Sequence, residues 1–168
     1  RGLGDVYKRQ PLKDFHLLEV SFQQELAYTN LLKALDVSGV PLLASQRREE
    51  DPIVMVGGAA TVNPVPFAPF VDLVFVGESD EAQVEMAQLM VDALVRGAYR
   101  EERVDLLSTV EGVWCPAKGG RVRRRIVLDL EKAPSPTKML MSPTAIVHDR
   151  VTVEIMRGCS RGCRFCQA

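Results

Sequence analysis

Three of the four cysteines fall within eight residues near the carboxyl end, in the run Cys159-Ser160-Arg161-Gly162-Cys163-Arg164-Phe165-Cys166. Thiols crowded at C-x3-C-x2-C spacing are poorly placed to close loops as disulfides and well placed to converge on one inorganic centre. The count of three carries information. An iron–sulfur cube normally takes one cysteine per iron. A three-cysteine loop therefore leaves one iron open to an exogenous ligand, as catalytic metal sites keep a position free. Gly158 and Gly162 let the backbone wrap closely around a bulky cluster. Arg157, Arg161 and Arg164 place positive charge beside it, which favours thiolate over thiol and offsets the anionic cluster. The alternative is a structural zinc with Cys115 as fourth ligand, although zinc ribbons prefer paired C-x2-C knuckles. Cys115, in an apolar run beside Trp114, reads as a buried small hydrophobe.

The elements that must position this loop are strands and helices in alternation. The apolar run 14–22 reads as a buried strand of a parallel sheet, followed by a helix over 24–37 that Gly39 and Pro41 stop. Residues 53–56 form a second buried strand running into Gly57 and Gly58, and 72–76 a third entering Gly77-Glu78-Ser79. A long helix comes next, capped by Ser79 or Asp80, with Val84, Ala87, Val91 and Leu94 as its apolar stripe and Gly97 at its end. A shorter helix is expected over 102–110. The pattern implies an open, doubly wound α/β domain of the Rossmann or flavodoxin kind, with ligand sites beyond the carboxyl ends of the strands. After Gly112 the texture changes. Val113-Trp114 and 122–130 read as a β-hairpin turning at Gly119-Gly120, and the prolines Pro134, Pro136 and Pro143 mark an extended linker. Alternating Val151, Val153 and Ile155 then predict a strand that runs directly into Gly158-Cys159.

The chain has 168 residues, 46% hydrophobic and 26% charged, which is globular in composition and excludes disordered or collagen-like classes. Residues 1–10 read as a library-adapter sequence translated in a protein frame and are set aside. A net charge of −1 argues against whole-domain attraction to nucleic acid or an anionic membrane. No apolar stretch reaches the ~20 residues of a membrane-spanning helix, and no secretory signal is evident. Clustered thiols and the lack of such a signal place the chain in a reducing cytoplasm. The basic run Arg121-Val122-Arg123-Arg124-Arg125 suits a charged, solvated strand edge better than an RNA contact. No Walker A or complete Gly-x-Gly-x-x-Gly sequence occurs, so nucleotide hydrolysis and hydride chemistry find no support.

The cysteine loop, with Phe165 directly before its third thiol, resembles the motif of the radical S-adenosylmethionine superfamily. The resemblance implies that Cys159, Cys163 and Cys166 ligate a 4Fe-4S cluster whose fourth iron chelates S-adenosylmethionine, and that Phe165 packs against cluster or cofactor. It implies reductive cleavage of S-adenosylmethionine to a deoxyadenosyl radical, an external electron donor and an unidentified small-molecule substrate. The loop would cap the first strand of a β/α barrel, where barrel chemistry sits. A stretch ending at Ala168 would hold only the start of that barrel and is expected to be inactive alone.

The upstream order is Val54-Met55-Val56-Gly57-Gly58, Asn63-Pro64, Asp72 through Gly77-Glu78, and Glu154 through Gly158-Cys159, with the segment from Ser21 to Asn30 before them. It is similar to a largely uncharacterised subfamily that places a cobalamin-binding-like domain ahead of the radical barrel. On that resemblance the chain divides into the artefact 1–10, a cobalamin-binding-like α/β domain 11–111, a hairpin and linker 112–150, and the barrel start 151–168. Ser21, Gln23, Gly57, Gly58, Gly77 and Glu78 then become positional candidates for corrinoid contact. The competing explanation is that glycines at strand-to-helix turns serve backbone geometry alone. The family's usual Gly-Glu-Gly-Glu is here Gly77-Glu78-Ser79-Asp80. Cobalamin-assisted methyl transfer thus competes with radical chemistry in which the α/β domain is a scaffold. Asp14-x-His16-x-x-Glu19 mimics a cobalt-ligating motif, but ends in Glu where that motif has Gly, and His16 reads as structural. His148 in the linker carries no better case.

Overall fold

The computed structural model describes residues 10–134 and 153–166. The chain forms two compact units, Arg1–Ile126 and Val127–Ala168. The first unit is an open α/β layer. Its strands are β1 (Leu17–Ser21), β2 (Ile53–Gly57), β3 (Leu73–Phe75) and β4 (Val113–Trp114), and its helices are α1 (Tyr28–Ser38), α2 (Asp80–Val95) and α3 (Arg100–Leu107). The sheet order is β1-β2-β3-β4, parallel through β3, with β4 antiparallel at one edge.

Strand pleating divides the core in two. Val54, Val56 and Val74 face one side and pack with Phe22, Phe67 and with Leu31 and Leu35 of α1. Ile53, Met55, Leu73 and Phe75 face the other and pack with Ala82, Met86 and Met90 of α2 and Leu107 of α3. β2 and β3, covered on both faces, are continuous apolar runs, as a parallel sheet requires. Gly39 (φ 70°) and Gly97 (φ 73°) end α1 and the α2 segment in the left-handed conformation, which glycine adopts without a Cβ penalty.

Four expectations are corrected. The first strand is an edge strand spanning only Leu17–Ser21, half-exposed along its length. The helix after Gly77 exists, but its stripe faces outward: Val84 is 62% and Val91 53% exposed, while the buried face is Ala82, Met86, Met90 and Ala93. Leu94 alone of the expected stripe packs partly against the core. Flexible methionines and small alanines fill the space over Phe75 where β-branched valine would not.

The hairpin is not formed. Gly119 and Gly120 do turn the chain at positive φ, yet Val113 and Trp114 pair with Phe75 and Val74 of β3. The return segment bridges the sheet at Arg125, in parallel to Gly77. The open edge of β3 captures both, because pairing there also buries Val113 and Cys115 in the core. In the second unit, residues 153–156 join no ladder among the described residues, and Val153 and Ile155 are exposed. His148, Pro136, Pro143 and Val151 lie outside the described residues.

Candidate functional site

The sheet face beneath α2 changes character along its strands. Leu17, Ile53, Leu73 and Phe75 are apolar and pack on the helix layer. Toward the carboxyl ends the same face carries Glu19 and Ser21 on β1 and Gly57 on β2, with Ser21 paired in register to Gly57. The change from large apolar to small or polar residues leaves a cavity of about 400 Å³ under the first turns of α2. It is lined by Ser21, Gln23, Gly57, Gly58 and Gly77, five of the six loop positions singled out in the sequence, which the fold brings together. Glu78 does not line it; its backbone N–H donates to Arg125 O at 3.0 Å.

Sequence reasoning missed Glu19 and Gln83. The Gln83 amide donates to the Glu19 carboxylate, tying α2 to the edge strand across the cavity mouth. Gln23 donates to Ser21 Oγ at 2.7 Å. Met55, Phe75 and Met86 form the apolar floor, and Glu19 is the only ionisable side chain among the lining residues. A polar residue three positions before a buried helix residue, just after a strand end, is the signal that would have flagged Gln83.

The glycines have different causes. A Cβ on Gly58 would lie 2.6 Å from Phe22 O, and one on Gly77 would collide with Arg125 O; both residues have positive φ. These two are dictated by chain crossings. Around Gly58 the crossing is held by Phe22 N–H to Gly57 O at 2.6 Å and Ala60 N–H to Phe22 O at 2.9 Å. The buried Thr61 hydroxyl bridges Gly58 O and Phe75 O at 2.8 and 3.0 Å. Gly57 is different: its Cβ would make only ordinary contact with Phe75 Cβ at 3.7 Å. Its missing side chain leaves the cavity open.

Arg125 of the basic run is a structural clamp. Its backbone bonds Val76 and Glu78, and its guanidinium pairs with Glu85 at 2.7 Å and Glu81 at 3.6 Å on α2. The hydrogen bond that Arg125 donates to Glu85, reinforced by the charge of both carboxylates, raises the Arg125 pKa above its ordinary value.

A larger cavity, about 680 Å³, opens near Arg47, Asp72 and Arg100, at the strands' amino ends. Its charged groups hold the scaffold. Asp72 accepts from Arg47 at 2.6 Å and Val54 N–H at 2.8 Å, and forms an ion pair with Arg100 at 2.7 Å. Arg47 also bonds the Pro41, Leu42 and Phe70 carbonyls. Burial pushes the Arg47 pKa down, and Asp72 opposes that shift. His16 lies just before β1, at the same end, away from the glycine-lined cavity.

In the second unit Cys159, Cys163 and Cys166 are exposed and form no disulfide, and Phe165 is 90% exposed. Arg161 N–H donates to Cys159 Sγ at 3.4 Å, and Cys166 N–H closes a turn onto Cys163 O at 3.2 Å. Arg157 pairs with Glu154 at 2.8 Å. The three sulfurs do not converge as a metal site among the described residues. The donor set nonetheless suits a cluster, and an N–H directed at a sulfur is one means by which a loop tunes one. Cys115 is buried in its own unit among Leu107, Val110 and Val113, as a small hydrophobe.

The class these features define is an open α/β domain with a cavity at its strand ends, followed in sequence by an exposed three-thiol loop. A family model for the N-terminal region of radical SAM proteins matches residues 3–116, more than half of the chain. The chain belongs to this family of radical SAM proteins. No curated protein and no solved structure matches it. No helix among the described residues is long and apolar enough to cross a membrane.

Proposed function

We propose that the chain is part of a radical S-adenosylmethionine enzyme in which Cys159, Cys163 and Cys166 hold a 4Fe-4S cluster. The observation that carries this reading is the exposed loop of three thiols, none in a disulfide, in a chain whose upstream domain belongs to the radical SAM family. The cluster, when bound, supplies the electron that cleaves S-adenosylmethionine at an iron the protein leaves without a thiolate. The chain's own residues prepare that site. Arg161 N–H donates to the Cys159 sulfur, and Arg164, next to Cys163 in sequence, brings positive charge to offset an anionic cluster. Gly158, at φ 78° with open space where a Cβ would stand, lets the chain turn into the loop. Phe165 offers an uncovered aromatic face beside the third thiol. A cytoplasmic location and an external electron donor accompany this chemistry.

The narrower reading is cobalamin-assisted methyl transfer, with a corrinoid over the loops after β1, β2 and β3. The gathering of Ser21, Gln23, Gly57, Gly58 and Gly77 favours it. Size weighs against it, because about 400 Å³ is near the lower end of small-molecule pockets and cannot enclose a corrinoid ring with its side chains. The geometry thus favours the α/β domain without an enclosed corrinoid. Iron and sulfide analysis after anaerobic reconstitution tests the main reading, with about four of each per chain expected. Loss of both in the Cys163→Ser variant supports it. Tetrahedral zinc in place of iron would favour a non-catalytic metal or interaction module. Equilibration with hydroxocobalamin tests the narrower reading: co-elution of its absorbance with the chain supports corrinoid binding, and its absence leaves the domain as scaffold.

A further inference from the structure

We propose that the cavity beneath α2 binds a compact molecule that presents an ammonium or amide N–H to Glu19 and rests an apolar body on Met55, Phe75 and Met86. This goes beyond the cluster reading and does not depend on it.

The electrostatics choose the sign of the ligand. Glu19 is the only ionisable lining side chain, and the other polar lining groups are Ser21, Gln23, Ser79 and Gln83. Arg125 bonds Val76 and Glu78 through its backbone and directs its guanidinium to Glu81 and Glu85. Asp80 and Glu81 occupy the first turn of α2, so that helix end adds carboxylate charge to the dipole's positive end. A phosphate or carboxylate would meet Glu19 without a lining guanidinium or ammonium to compensate, whereas a cation or amide N–H finds an acceptor. A charge-assisted bond to that acceptor is the stronger kind.

The shape chooses the size. Gly58 and Gly77 have no side chain because the backbone crosses at them, but nothing in the backbone forbids one at Gly57. Gly57 stands in the row Ser21, Gly57 and Phe75, and a leucine there would occupy the hollow above Phe75. The cavity has ample room for a benzene ring with a short arm, and its two methionine thioethers suit an adaptable apolar contact. The Gln83–Glu19 bond closes the mouth, and the ligand's N–H would compete for the same carboxylate.

The test uses two probes of nearly the same shape and opposite charge, phenethylamine and hydrocinnamate, titrated into the isotope-labelled, metal-free chain. Backbone amide signals of Gly57, Gly58 and Gln83 are followed by nuclear magnetic resonance. The result expected is a saturable shift confined to these residues and their neighbours, with phenethylamine about tenfold or more tighter than hydrocinnamate. Glu19→Gln, on an exposed edge, weakens phenethylamine by about tenfold without reversing the fold. Gly57→Leu abolishes the shift, and Gln83→Leu, at an exposed helix position, supplies a second block should the first variant unfold. Equal or tighter binding of hydrocinnamate overturns the proposal. So does binding that survives both blocking variants in folded protein, or the absence of any saturable shift in the parent chain. No metal is added, so these outcomes say nothing for or against the cysteine loop.

Discussion

Asp72 illustrates how much one side chain organises. It accepts hydrogen bonds from Arg47 and the Val54 N–H and forms an ion pair with Arg100, with the Arg47 side chain wholly enclosed. Removing the charge leaves two guanidiniums facing each other with too little compensation in a poorly solvated place. Asp72→Asn is therefore expected to destabilise the domain by about 3–5 kcal/mol, as breaking one partner of a buried ion pair does. Urea unfolding monitored by circular dichroism reads it, and a loss below about 1 kcal/mol, the scale of an exposed pair, would contradict it. The glycines give a sharper contrast. Gly77→Ala forces a Cβ onto Arg125 O at positive φ and is expected to cost about 3 kcal/mol or more. Gly57→Ala meets only an ordinary contact and should stay within about 1 kcal/mol of the parent. The same unfolding experiment ranks them, and equal losses would refute the distinction between crossing and cavity glycines.

At the scale of elements, α2 decides which residues matter. Met86 is buried over the sheet, and Val84 two positions earlier is mostly exposed. Met86→Ala should cost about 2–5 kcal/mol and Val84→Thr less than about 0.5 kcal/mol. Thermal unfolding of the two variants checks the order, and a reversed order would mean that the helix buries its valine stripe. That stripe was the natural reading of the sequence, since Val84, Ala87, Val91 and Leu94 recur at helical spacing. The residues that win are methionine and alanine, which hydropathy alone ranks below valine but which fit the space above Phe75. By contrast β2, β3, the two helices and their Gly39 and Gly97 ends were legible, because apolar runs and left-handed glycine stops are local signals. The hairpin was not, because whether Val113-Trp114 pairs with 122–130 or with β3 depends on an edge formed 40 residues upstream. The cavity was half legible. Its glycines and Ser21 stand at strand ends, where α/β folds keep ligands, but Glu19 and Gln83 are 64 residues apart in sequence and only the fold makes them neighbours.

At the scale of the whole molecule, two units carry two separate candidate sites. The first encloses a small hollow of acidic character in a scaffold whose charged groups are largely paired with one another. The second exposes three thiols and an aromatic ring, groups that a protein exposes together when something is to be bound to them. The family match ties the first unit to radical SAM proteins, and the thiol spacing gives the second its expected ligand. The most direct measurement is electron paramagnetic resonance of the anaerobically reconstituted, dithionite-reduced chain, recorded with and without S-adenosylmethionine. The account predicts the signal of a reduced 4Fe-4S cluster, absent from the Cys159→Ser variant and altered in shape when S-adenosylmethionine is added. A chain that takes up no cluster, or a cluster whose signal is indifferent to S-adenosylmethionine, would contradict it.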